Sequence, residues 1–190
     1  MNPMKWKTRN LAYSGISLFM FYFLFFYKWT HYLIYEATIK HSKAEHVWEF
    51  VADFRNMMKL NPTIKQFNII DDSGNYGEWQ YSVEYTERFN YLPMIQNDAQ
   101  AHFIVTSTKK NYVIESKHRT CFILRFNCLN TDSEFIFESH GEDTNYIEKL
   151  QYECPLLFSK LCHNEVMYQR QEIMKNLQTH FSTINELIKK

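Results

Sequence analysis

Two groups of residues are of types that carry out chemistry. The first is His41-Ser42-Lys43-Ala44-Glu45-His46, two imidazoles around a carboxylate, which are the residue types of a zinc-protease helix. Its histidines stand five positions apart, whereas the forward and inverted zinc motifs both place them four apart, on one helical face. The spacing excludes that site. The second group is Glu84, His102, Glu115, His118 and Arg125, which fall within strand-like segments. A carboxylate and an imidazole buried together can transfer protons. Strand alternation sets Glu84 opposite Tyr85, however, and the Tyr/Trp face is the better interior, so these polar residues are expected on a solvated outer face. No catalytic residue is expected.

Cys121, Cys128, Cys154 and Cys162 contain no Cys-x-x-Cys pair and no zinc-like spacing. They are expected to pack in the core, with one or two disulfides in an oxidising compartment and the pairing left open. The chain has no Gly-rich phosphate loop and no nucleophile elbow. No metal and no cofactor is expected.

Charge narrows the partners. The whole chain is formally neutral, but residues 1–29 hold Lys5, Lys7, Arg9 and Lys28 and no acid, which leaves the remainder 17 basic against 21 acidic residues, a net of −4. Nucleic-acid binding needs a concentrated basic face, so it is excluded.

Positioning any site falls to the elements around it. From Asn10 to Tyr27 there is no charge, and an uncharged helix of that length reaches roughly 27–30 Å, about the thickness of a bilayer core. Residues 1–29 are therefore expected to be a basic leader and a transmembrane helix, with the span over about 10–29 and a short linker at 30–34. Bulky residues after the run, among them Trp29, Tyr32 and Tyr35, argue against a cleavable signal and for an aromatic belt at the membrane surface. The expected location is an endomembrane or plasma membrane, with the mitochondrial inner membrane as the alternative. The basic residues on the two sides nearly balance, so orientation stays open.

Residues 35–190 then form one domain. Tyr35–Lys40 alternates as a strand. Ser42 with Glu45 has the pattern of a capping box for a helix carrying Ala44, Val47, Trp48, Val51 and Ala52, and Asp53 can cap a second short helix that Asn61-Pro62 ends. Strands are then expected at 64–70, 78–89, 99–107, 112–119, 121–128, 133–139 and 145–153. Lys109-Lys110-Asn111, Asn130-Thr131-Asp132 and His140-Gly141-Glu142-Asp143 read as turns between them. A long helix from Pro155 onward carries Val166, Ile173, Leu177, Phe181, Ile184 and Ile188 as its apolar stripe.

The segment Ser42–Phe54, followed by Asn61-Pro62, resembles the opening of the START-like (helix-grip) superfamily. The final helix, with Gln169-Arg170-Gln171-Glu172-Ile173 leading to Leu177, resembles its usual ending. The resemblance covers residues 35–188 and implies an α+β fold: a curved antiparallel sheet of six or seven strands wrapped on a long C-terminal helix, with two short helices after the first strand. It also implies an apolar cavity between sheet and helix. An aromatic-rich sheet face opposite a Met-bearing helix can line such a pocket. The candidates on the first strands are Trp79, Tyr81, Val83, Tyr85, Phe103 and Val105. The remainder are Ile114, Phe135, Phe137, Met174 and Leu177.

Tyr91-Leu92-Pro93-Met94-Ile95 is apolar where a loop should be polar, and it is expected to be a lid or a membrane contact. The expected activity is membrane-anchored binding, or transfer, of a lipid or other hydrophobic small molecule by a monomer. The alternatives are a cyclase- or dehydratase-like enzyme using the same cavity, or an adaptor with an unused pocket.

Overall fold

The computed structural model describes residues 3–75, 77–108, 112–122 and 127–188, the side chains of 3–9 and 188 excepted. Arg125 and the turn at Lys109-Lys110-Asn111 lie outside the described residues. The elements run α1 (Pro3–Phe25), β1 (Lys28–Ile39), α2 (Ala44–Ala52), α3 (Phe54–Leu60), β2 (Ile64–Asn75), β3 (Glu78–Arg88), β4 (Gln96–Ser107), β5 (Tyr112–Phe122), β6 (Asn127–His140), β7 (Asp143–Pro155), a 3-10 turn at Leu156–Phe158, and α4 (Ser159–Ile188).

One antiparallel sheet of seven strands, in the order β1-β7-β6-β5-β4-β3-β2, curves around α4. Strands β2 to β7 are each paired with the next in the chain, and Gly141, at φ +64°, supplies the left-handed position of the β6–β7 turn. Alternation decides which face is covered: Tyr81, Val83 and Tyr85 of β3, Ala99, Ala101 and Phe103 of β4, and Phe135 and Phe137 of β6 all point inward and are buried. Met174, Leu177 and Phe181 of α4 close the core from the other side. The β2–β3 register is interrupted at Ile64/Gln66 and at Ile69/Asp71, irregularities of the kind that strengthen the local twist of a strand.

The short helices are fixed by their own chemistry. α2 buries Ala44, Val47, Trp48, Val51 and Ala52, the expected face, and the Trp48 indole donates to the Val113 carbonyl at 3.2 Å. Asp53 caps α3 by accepting the Arg55 amide at 3.0 Å. Asn61 ends α3, and its side chain accepts from the Thr63 amide and hydroxyl at 3.1 and 2.8 Å, an Asx turn across Pro62.

Several expectations need correcting. No helix among the described residues is long and apolar enough to cross a membrane, so the span expected over 10–29 is not found. The helix stops at Phe25, and its uncharged part, residues 10–25, covers about 24 Å at 1.5 Å per residue, against roughly 30 Å of hydrocarbon. Asn10, Ser14 and Ser17 further lower its hydropathy. Residues 30–34 are not a linker: β1 begins at Lys28 and pairs with β7 along its whole length. The capping box does not form, because Lys43 is the N-cap and the Ser42 hydroxyl donates back to the Lys40 carbonyl at 3.1 Å.

Asn130-Thr131-Asp132 is not a turn but lies inside β6, where pairing on both sides overrides its loop-like composition. Of the strand expected over 121–128, residues 123–126 lie outside the described residues, and the described ones belong to two strands, 121–122 to β5 and 127–128 to β6. Cys121 lies next to the last residue of β5 and Cys128 next to the first of β6, where the two are paired across the ladder and joined by a disulfide. A second disulfide, Cys154–Cys162, ties the end of β7 to the start of α4, and Pro155 closes β7 rather than opening the helix.

Candidate functional site

Between the inner face of the sheet and the first half of α4 lies a cavity of about 160 Å³. Phe54 and Met57 of α3 form one wall and Phe103, Phe122, Leu129 and Phe135 of the sheet another, with Val166 and Ile173 of α4 across from them. The Phe54 ring packs against Phe67, Tyr85 and Phe103 with centroids 5.3, 5.4 and 5.7 Å away. Such edge and tilted contacts hold the wall in one arrangement.

Polar groups enter this apolar space in three sets. In the first, the Arg170 guanidinium donates to Glu148 Oε1 from Nε at 3.1 Å and from Nη2 at 2.7 Å. The Tyr146 hydroxyl donates to Glu148 Oε2 at 3.0 Å. The two charged side chains are only 13% and 2% exposed, so each is compensated almost wholly by the other. Burial, and then the Glu148 charge, pushes the Tyr146 hydroxyl well above the usual phenol range, and it stays protonated.

In the second set, the Tyr85 hydroxyl meets His118 Nδ1 at 2.9 Å, and His118 Nε2 meets the Ser116 hydroxyl at 3.0 Å. Burial, aided by the nearby Arg170 charge, pushes His118 down to about 4, so the ring is neutral at pH 7.

The third set is a pair of carboxyls. Glu165, buried on α4, accepts the Asn90 amide at 3.0 and 3.1 Å and the Tyr91 amide at 3.3 Å. Glu87 lines the same end of the cavity, with hydrogen bonds from Gln169 and Asn97. Burial and then the Glu165 charge raise Glu87 to about 7, although Arg170 and those hydrogen bonds pull the other way.

Glu87 and His118 oppose each other in their effect on stability. Glu87 takes up its proton more readily folded than unfolded, so its contribution is present below about pH 4.5 and is lost as pH rises through about 7. His118 does the reverse: its contribution is present above about 6.5 and is lost as pH falls through about 4. Wild-type stability should therefore vary little between pH 5 and 6.5 on account of these two groups. Glu87→Gln should remove one side of the balance, and its melting temperature should fall steadily from pH 6.5 to 4.5, as a thermal scan series would show. A variant curve parallel to wild type would contradict the buried placement of either group.

Of the residues expected to line a cavity, Tyr85, Phe103 and Phe135 do so. Tyr81, Val83, Ile114, Phe137, Met174 and Leu177 are buried in the core instead, and Trp79 and Val105 line a separate recess beside α2. Glu84 and Glu115 face outward as expected, and Glu84 accepts from Gln100 at 2.7 Å. His102 meets Ser82 on the outer face at 3.0 Å. His118 is the exception and faces inward.

Tyr91, Leu92, Pro93 and Met94 are exposed, Met94 at 98%, and Ile95 is half-buried. The loop closes on itself through the Ile95 amide, which donates to the Leu92 carbonyl at 2.9 Å. Glu165 therefore joins an exposed apolar loop to the cavity interior.

Glu87, Glu148, Glu165 and Arg170 carry the site and were not expected there. A signal for two of them exists in the sequence. Glu148 alternates with Tyr146, Leu150 and Tyr152 on the buried face of β7, and Arg170 falls in line with Val166, Ile173 and Leu177 on α4.

The sheet wrapped on a long C-terminal helix, with a cavity between them, is the helix-grip architecture of START-like proteins. Among solved structures, a START superfamily protein from Mycobacterium smegmatis is similar at a TM-score of 0.56 and 12% identity, over 81% of this chain and 99% of the other. Ara h 8.0201 matches at a TM-score of 0.53 and 14% identity, over 82% and 99%. The di-domain ARO/CYC StfQ of the steffimycin biosynthetic pathway matches at 0.52 and 12%, over 79% of this chain and 46% of its own. At these identities the likeness establishes the fold. No family model matches the chain, and no curated protein matches it in sequence.

Proposed function

We infer that this protein binds a small hydrophobic molecule in the cavity between the sheet and α4. The observation that carries this is the cavity itself: apolar walls from α3, the sheet and α4 with a few placed polar groups, which is the usual make-up of a ligand site. Its volume of about 160 Å³ is close to that of a dry engineered cavity of about 150 Å³ that holds benzene. A ligand the size of one ring fits as the walls stand, and a longer one needs the loop at 91–95 to move. Native mass spectrometry of the full chain tests this. The expected result is a one-to-one adduct with benzyl alcohol that is lost in Val166→Trp, which fills the space; no adduct in either protein would refute it.

A lipid surface is part of the same proposal as the source of ligand. Leu11, Ile16, Leu18 and Phe19 of α1 are exposed, as are Leu157, Phe158 and Met94. Phe158 meets the end of α1 through Phe25 at 5.8 Å, and it precedes the first turns of α4, which hold the 91–95 loop. Exposed large apolar side chains are the expected mark of such contact, and lying on a surface asks for no span. Flotation with neutral phosphatidylcholine vesicles should carry the protein upward, and Leu18→Asp/Phe19→Asp should reduce that.

Catalysis stays as the second reading because carboxyls and an imidazole do converge in the cavity. An acid held near pH 7 in an apolar space, as Glu87 is, suits general acid–base work.

A further inference from the structure

The charges around the cavity do not balance. Arg170 is committed to Glu148 at 2.7 Å, and Glu153, at the edge, pairs with Lys28 at 3.6 Å. Neither Glu87 nor Glu165 has an ion-pair partner among the described residues. Every side-chain partner of Glu87 is accounted for from the elements packed on it: Asn97 across the β3–β4 register, and Gln169, Glu165 and Arg170 from α4. Glu165 accepts the amides of Asn90 and Tyr91, neutral donors that leave its charge unpaired and part of its acceptor capacity free. His118 is uncharged and cannot supply the missing cation.

A second observation points the same way. Asn97, only 1% exposed, donates to Glu87, yet its own Oδ1 has no hydrogen-bond partner among the described residues. A buried acceptor left unpaired costs roughly 1–3 kcal/mol, so once Glu87 is ionised its neighbourhood offers acceptors and lacks a donor. An anionic head would lie beside two carboxyls with the only nearby guanidinium already taken. A donor carrying positive charge would answer both deficits.

We propose that the cavity takes a small amine built on a single ring, its ammonium placed against Glu87 and Glu165, in preference to an alcohol or acid of the same skeleton. This rests on the ligand-binding reading above and names the chemical class of its ligand. The ring fills the apolar part between Phe54, Phe103 and Phe135, and the ammonium donates to the acceptors at the lid end. Because Glu87 keeps its proton up to about pH 7, binding of an ammonium below that pH expels the proton, and affinity rises with pH until Glu87 is ionised.

Benzylamine, benzyl alcohol and benzoate, titrated calorimetrically into the full chain at pH 6 and pH 8, separate the possibilities. Expected are at least tenfold tighter binding of benzylamine than of benzyl alcohol at pH 8, a smaller preference at pH 6 with a proton released to the buffer, and no binding of benzoate. Glu87→Gln should bring benzylamine down to the affinity that benzyl alcohol shows in the same variant. Equal binding of amine and alcohol, or tighter binding of benzoate, overturns the charge assignment and leaves the cavity reading standing. Binding of none of the three overturns both.

Discussion

Arg170→Met should cost this protein about 3–5 kcal/mol of stability, because removing one partner of a buried ion pair leaves the other uncompensated. Glu148 would then sit at 2% side-chain exposure with only the Tyr146 hydroxyl donating to it. In urea the unfolding midpoint should fall by roughly 2 M at a typical slope. Two further measurements tie the loss to charge rather than to lost packing. Acidification should narrow the gap to wild type, since the stranded carboxylate can take up a proton. The double variant Arg170→Met/Glu148→Leu should recover most of the loss, as apolar replacements of buried pairs commonly do. A single variant as stable as wild type would mean that water reaches Glu148.

Phe54→Ala should cost a similar amount, about 3–5 kcal/mol, by opening a void that the surroundings only partly fill. Phe54 is 3% exposed and touches three other aromatic rings, so few of its contacts can be replaced by rearrangement. It also forms a cavity wall, which gives the variant a gain as well as a loss. Naphthalene methanol, too large for the wild-type space, should bind the variant more tightly than benzyl alcohol does, with the order reversed in wild type. Saturating ligand at a hundred times its dissociation constant returns about 2.7 kcal/mol to the melting behaviour. If ring-size preference is unchanged by the substitution, Phe54 does not bound the binding space.

The order of strands and helices was legible because period-two alternation on β3 and helical spacing on α2 are strong, local signals. Turns that depend on pairing were not. Asn130-Thr131-Asp132 has the composition of a loop, yet neighbours on both sides hold it in β6. The cavity was half-legible: Tyr85, Phe103 and Phe135 lie on a face any alternation would choose, whereas Trp79 and Phe137 share that pattern and end elsewhere. Their distance from the gap depends on the curvature of the sheet, which alternation does not encode.

The polar site was hardest to read, because Glu87, Glu165 and Arg170 acquire meaning only when β3 and α4 meet. His118 is expected on the outer face with the other strand polars. Its parity with Ile114 and Ser116, both buried, already placed it inside.

Only Phe26 and Tyr27 separate α1 from β1, and the amides of both bond back to the Tyr22 carbonyl at 2.9 and 3.3 Å. With Phe25 seated against Phe158, the first helix is a stiff outrigger rather than a leash. A leash would let the domain swivel and sample every direction. An outrigger passes on its own tilt: any surface that met the exposed side of α1 would also set the compass bearing of the loop above the cavity. The protein thereby trades reach for aim, and lengthening the joint by a few glycines would return the reach and lose the aim.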